Sequence, residues 1–161
     1  MSQTQCQICE IVSVFLNPFA SEEKKKSRKN INMSETFTTT KDTPPAEVCE
    51  SEALRWLDCL EPKAEKPATA KATWDNSCVV ERQDFDKCVV QWRAAINDSV
   101  ENPKVKVKGD AAGLPPPQCA PLSCLFQKCF MRSNYDSQLC KFTTMNFKHC
   151  CKLMYGAEYV D

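Results

Sequence analysis

Apolar residues recur at three- and four-residue intervals in four separate stretches of the chain. Each stretch predicts a helix with one buried stripe. The first carries Cys49, Ala53, Trp56 and Cys59/Leu60, with Glu50, Glu52 and Asp58 around its other sides. The second carries Cys78, Phe85, Cys88/Val89, Trp92 and Ile96. The third buries Leu122, Leu125, Phe126 and Cys129/Phe130, and the fourth presents Cys140, Phe147, Cys150/Cys151 and Met154. Boundary residues flank these stripes. Thr43 reads as an N-cap ahead of Pro44 and Glu47, Ser77 or Asp75 as the second cap, and Asp136 or Ser137 as the fourth. The third helix starts around Cys119–Pro121. Pro62 is expected to end the first helix, which leaves 61–77 as a long loop. Asn97-Asp98-Ser99 breaks the second stripe, Asn134–Ser137 forms a turn, and Gly156 stops the fourth helix.

The pattern divides the chain into four parts. Residues 1–45 read as a disordered N-terminal tail, 46–96 as a first helical hairpin, 97–117 as a linker and 118–156 as a second hairpin. The linker runs from Asn97 to Pro115-Pro116-Pro117, and its triple proline favours an extended, semi-rigid spacer. Its Lys104-Val105-Lys106-Val107-Lys108 alternation resembles a strand but has no neighbouring strand to pair with. In the tail, a short apolar patch precedes the basic cluster Lys24–Lys29 and a Ser/Thr-rich stretch; a solvated tail is the simplest reading. Met33 opens Met-Ser-Glu-Thr, which would serve as the start of a shorter product. Residues 1–32 are therefore held open as a gene-model extension that N-terminal peptide mapping decides.

Cysteine spacing sharpens this picture. Cys49/Cys59, Cys78/Cys88, Cys119/Cys129 and Cys140/Cys150 each enclose nine residues, and an aromatic ring stands three positions before each second cysteine: Trp56, Phe85, Phe126 and Phe147. Twelve cysteines against one histidine and three glycines read as a disulfide framework in an oxidising compartment. Structural zinc would draw two close Cys knuckles or a Cys/His mixture, and only Cys6/Cys9 has such spacing. Ten residues of helix advance about 15 Å, so each helix carries its cysteines roughly three turns apart. Two such helices set antiparallel meet outer with outer and inner with inner. That predicts Cys49–Cys88 with Cys59–Cys78, and Cys119–Cys150 with Cys129–Cys140. Other pairings exist in arithmetic and are disfavoured by an antiparallel hairpin. Cys6, Cys9, Cys124 and Cys151 stay outside this scheme; for Cys124 and Cys151 a small buried thiol is expected. Core packing between helices is the default role of the four rings.

Charge narrows the partners. Lys+Arg and Asp+Glu balance at 21 each, so no global field draws the protein to nucleic acid or anionic membrane, and direct DNA binding is not expected. The second hairpin is locally basic, with Lys128, Arg132, Lys141, Lys148 and Lys152 against Asp136. No stretch approaches the roughly 20 apolar residues of a transmembrane helix. The run Ile8–Leu16 lacks the basic n-region of a secretory signal, and the first sixteen residues lack the arginines of a mitochondrial presequence.

At the four Cys-x6-aromatic-x2-Cys segments, over 46–96 and 118–155, the chain resembles the coiled-coil-helix-coiled-coil-helix (CHCH, twin Cys-x9-Cys) family and holds two such units. The resemblance implies hairpins closed by two disulfides in the mitochondrial intermembrane space. It also implies import through a disulfide-relay oxidoreductase that recognises a hydrophobic residue near a docking cysteine, a role open to Trp56, Phe85, Phe126 and Phe147. The second unit is similar to compact CHCH proteins of the mitochondrial small ribosomal subunit and to cytochrome oxidase assembly factors. Double CHCH organisation also occurs in a complex I accessory subunit. The longer gap of the first unit, Cys124, and the vicinal Cys150-Cys151 depart from the simplest pattern.

The function expected on these grounds is a non-enzymatic structural subunit or assembly factor of a respiratory-chain complex, cytochrome c oxidase or complex I. One alternative is a matrix protein of the small ribosomal subunit. Another is a copper chaperone using thiolates, since Cys150-Cys151 is vicinal. No catalytic residue, metal site or cofactor is expected. Cys6/Cys9 has redox-motif spacing beside Glu10, which would raise a thiol pKa, and His149 has no evident cysteine–carboxylate constellation.

Overall fold

Four long helices follow the four apolar stripes, and a fifth, short one lies between the first two. The structure, a computed structural model, describes residues 42–159. In chain order the helices are α1 (Glu50–Glu65), α2 (Pro67–Ala70), α3 (Val79–Ala95), α4 (Ala120–Arg132) and α5 (Lys141–Met154), followed by a 3-10 turn at Ala157–Tyr159. The described residues contain no strand and belong to one unit. The tail before residue 42, with Cys6, Cys9 and the basic cluster, lies outside the described residues. Four disulfides tie the helices: the start of α1 to the later half of α3, the later half of α1 to the start of α3, and the same two ties between α4 and α5.

The helix starts correct the sequence reading. Thr43, Ser77, Asp75, Asp136 and Ser137 are not the N-caps; Cys49, Cys78, Cys119 and Cys140 occupy those positions, without a side-chain cap hydrogen bond. Cys49 and Cys78 have φ of 56° and 54°. A residue in that left-handed region cannot continue a right-handed helix, so α1 and α3 cannot begin upstream of them. Residues 44–49 instead form turns, with the Glu47 N–H donating to Pro44 O at 2.9 Å.

The end of α1 is the second correction. The helix passes through Pro62 and continues to Glu65. An internal proline costs about 3 kcal/mol through its missing N–H and its clash with the preceding turn. Leu60 at 0 % exposure and Ala64 at 1 % bracket it on the buried face. Packing on both sides of Pro62 therefore outweighs the local penalty. In the core, Trp56, Phe85, Val89 and Trp92 join Leu60, each large side chain contributing about 1.5–3 kcal/mol on leaving water.

α1 packs against both α3 and α4, α4 against α5, and α3 touches α5. The segment between α3 and α4 is folded onto them. Pro103, Val107 and Pro116 are buried, and the Val107 N–H donates to Met154 O at 3.0 Å. Val107 points inward while Lys104, Lys106 and Lys108 stay exposed, with no strand formed. Gln118 extends the attachment: its Nε2 donates to Pro45 O at 2.8 Å and Val48 O at 3.0 Å, holding the lead into α1 against the start of α4.

The tightest join is Arg93, fully buried at the end of α3. All five guanidinium N–H groups are used. Nε donates to Leu153 O at 3.1 Å; Nη1 donates to Asp98 Oδ2 and Val105 O, both at 2.9 Å; Nη2 donates to Leu153 O at 2.7 Å and Met154 O at 2.9 Å. One side chain thus ties α3, the connecting segment and the last turn of α5. Asp98 completes the group. Burial works against its charge. The N–H groups of Lys104, Val105 and Ser99, with the Arg93 charge, overcome that and hold its pKa at about 2.

The sign of the resulting pH effect follows from this depressed value. Asp98 stabilises the fold fully above its ordinary pKa of 3.8, and the contribution disappears as pH falls towards 2. Denaturant midpoints measured from pH 5 to pH 2 are expected to fall. Asp98→Asn is expected to start lower and to show a flatter slope across that window. An unchanged slope would show that Asp98 is not a source of the acid sensitivity.

Candidate functional site

The cysteines of the repeat lie in two pairs of helices. Cys49 and Cys88 are joined with Cα atoms 5.9 Å apart, Cys59 and Cys78 also at 5.9 Å, Cys119 and Cys150 at 5.7 Å, and Cys129 and Cys140 at 5.8 Å. These separations suit a disulfide between helices. Each bridge takes one sulfur from a helix start and one from the later half of its partner helix. The first cysteine of every repeat is therefore both an N-cap and a staple.

The four rings divide. Trp56 and Phe85 are fully buried and face each other with centroids 5.4 Å apart, so they form the centre of the α1/α3 contact. Phe126 and Phe147 are only half-buried, and Phe126 sets its edge against Phe130 of its own helix at 4.6 Å. Leu122, Leu125, Phe142 and Met154 occupy the corresponding core of α4 and α5. Equivalent positions in the repeat thus have unequal burial.

Cys151 is a free thiol at 0 % exposure, and burial pushes its pKa up to about 12. It behaves as a small apolar filler rather than a nucleophile. Cys124 overturns the expectation of a buried thiol. It is half-buried and disulfide-bonded. Five residues beyond Cys119 on α4, its side chain points about 140° away from that staple. It therefore leaves the side of α4 that is stapled to α5.

A polar and aromatic cluster joins the two helix pairs. His149 Nε2 lies 2.7 Å from Asp86 Oδ1, and its ring meets Trp74 edge-on at 5.2 Å and Trp56 at 6.3 Å. Arg82 stacks 3.6 Å above the Trp74 ring and donates from Nη1 to Trp74 O at 2.9 Å. Burial lowers the Arg82 pKa, against the opposing pull of Asp86 and Asp75. The carboxylate partner of His149, missed in the sequence, comes from 63 residues earlier in the chain. Spacing carries no signal for a contact between separate repeats. Asp86→Asn is expected to cost about 1 kcal/mol, read as a shift in urea midpoint; no shift would reduce the contact to surface decoration.

Two groups have metal-ligand proximity: Cys49, Glu52 and Cys88, and Cys59, Cys78 and Glu81, each with donor atoms within 4.8 Å of one another. Their sulfurs are already joined in disulfides, so neither group offers thiolates in the oxidised protein. A groove of about 440 Å³ beside the second group is lined by Arg55, Asp58, Cys59, Val80, Glu81 and Asp84. Among the described residues no helix is long and apolar enough to cross a membrane. No family model, curated protein or solved structure matches the chain.

Proposed function

We propose that this chain is a non-enzymatic CHCH protein of the mitochondrial intermembrane space, acting as a structural subunit or assembly factor of a respiratory-chain complex, cytochrome c oxidase or complex I. The observation that carries the reading is the crossed double bridging of each helix pair, from Cys-x9-Cys segments. Crossed ties between helix starts and the later halves of their partners support a reading as two antiparallel hairpins. On this reading the bridges are installed by a disulfide relay during import. Trp56, Phe85, Phe126 and Phe147 serve that oxidase while the chain is still reduced, and Trp56 and Phe85 become core afterwards. The folded product is a preorganised body that docks with little ordering cost, and the buried Arg93 and Gln118 attachments support that rigidity.

Complexome profiling of mitochondria, native separation followed by mass spectrometry of each fraction, tests the assignment. Co-migration with a respiratory complex or its assembly intermediates is expected. A peak only at monomer mass would sink the subunit role.

The small ribosomal subunit is the second reading, favoured by a specific face. Lys141, Lys148 and Lys152 recur at seven- and four-residue steps along the exposed side of α5. Co-migration with that subunit, and binding that weakens steeply with salt, would promote it. Copper capture has less support, because Cys150 is bridged and the Cys151 thiol is buried.

A further inference from the structure

The four bridges of the repeat are chemically unequal, and one carries a cation. The Lys63 ammonium lies 3.5 Å from Cys59 Sγ and 3.5 Å from Cys78 Sγ, anchored by a 3.1 Å hydrogen bond to Cys59 O. Helix α1 places it there, four residues after Cys59, because it runs through Pro62 for a further turn. A positive charge beside a disulfide stabilises the thiolate that leaves when the bond is attacked. Cys78 also stands at the start of α3, whose positive end favours an anion at that position. The Glu81 carboxylate, within 4.8 Å, opposes this, while the ammonium sits 3.5 Å from both sulfurs at once.

Access separates the bridges as well. Cys119, Cys129, Cys140 and Cys150 are at 0 % exposure, whereas Cys59 is half-buried and lines the groove beside Arg55 and Val80. Cys88 is half-buried too, but its bridge to Cys49 lies within 4.8 Å of the Glu52 carboxylate, which disfavours a thiolate.

We propose that Cys59–Cys78 is a thiol–disulfide exchange site of the folded protein, for a small monothiol of the glutathione class entering from the groove at Cys59. The incoming thiol gives its proton to solvent, and its thiolate forms a bond to Cys59 Sγ. The Cys59–Cys78 bond breaks, and its electron pair leaves on Cys78 as a thiolate held by Lys63. The product is a mixed disulfide on Cys59. A second glutathione thiolate attacks the glutathione sulfur of that mixed disulfide and releases Cys59. Net, the bridge is reduced and two glutathiones become one glutathione disulfide.

The fold survives this step because the bridge is the inner one of a nested pair. Cys49–Cys88 encloses it in the chain and keeps α1 and α3 stapled at the other end. What loosens is 66–78, which carries Trp74 from its place between Arg82 and His149. Opening of one bridge is thereby transmitted to the contact between the two helix pairs.

The test uses full-length oxidised protein in graded reduced glutathione, quenched with N-ethylmaleimide and mapped by peptide mass spectrometry. Among the bridges of the repeat Cys59–Cys78 is expected to open first, with glutathione on Cys59, at least about tenfold ahead of Cys49–Cys88, Cys119–Cys150 and Cys129–Cys140. Lys63→Met is expected to slow that step roughly three- to tenfold, and Lys63→Arg to retain most of the rate. Opening of Cys49–Cys88, Cys119–Cys150 or Cys129–Cys140 first would overturn the proposal, as would glutathione on Cys78 or a Lys63→Met rate equal to the unaltered protein's. The mapping on the unaltered protein decides the order of opening even if Lys63→Met fails to fold.

Discussion

Full reduction of the protein is expected to abolish most of its helical circular-dichroism signal. The bridges span 39, 19, 31 and 11 residues in sequence. Loop entropy assigns roughly 3–4 kcal/mol to each considered alone. Within each pair the inner bridge adds less, since the outer one already restrains the chain. The two outer bridges alone then represent about 7 kcal/mol, against a typical total stability of about 5–15 kcal/mol. Each stapled pair is only about forty residues, a size at which an apolar core rarely suffices. Circular dichroism before and after a strong phosphine reductant makes the measurement. Retained helicity would mean that Trp56, Phe85, Trp92 and their neighbours hold the helices unaided. Cys49→Ser with Cys88→Ser isolates one outer bridge and is expected to lower stability by about 3–4 kcal/mol.

Arg93→Ala is expected to be the most damaging single substitution that leaves every disulfide intact. Removing one partner of a buried ion pair typically costs about 3–5 kcal/mol, because the other charge stays buried. Here the substitution also strands the carbonyls of Leu153 and Val105, which accept from Arg93, and leaves Met154 O with the Val107 N–H. Replacing the pair by apolar residues cannot restore those backbone partners. Arg93→Met with Asp98→Leu is therefore expected to remain destabilised by at least about 2 kcal/mol. Urea unfolding followed by fluorescence measures both variants. Near-wild-type stability of the double variant would show that the carbonyls find other donors.

The helical class and the presence of disulfides were legible because both rest on local periodicity. A stripe at three- and four-residue spacing, with cysteines roughly three turns apart, needs no tertiary knowledge. The caps were misread because Thr43, Ser77 and Asp136 are good capping residues, while the actual positions belong to cysteines whose geometry is set by a bond across the structure. Pro62 was misread for a related reason. Local propensity says stop, and burial of Leu60 and Ala64 says continue. The His149–Asp86, Arg93–Leu153 and Gln118–Val48 contacts span 60 or more residues and follow no repeat, so nothing in the pattern announces them. Even Arg93 looks like an ordinary surface residue near a helix end until its surroundings are seen.

On α5 the receiving side of the Arg93 contact is backbone. Leu153 and Met154 offer carbonyl oxygens, which every amino acid possesses, so no substitution at those two positions deletes an acceptor. Related chains are thus free to change residues 153 and 154 while the arginine itself stays fixed, and no side chain of α5 would track it as Asp98 does. Co-variation between sequences would be blind to this contact. A shortened chain would not be: termination at Lys152 removes both acceptors at once, leaving a buried guanidinium with only Asp98 and Val105 to answer it.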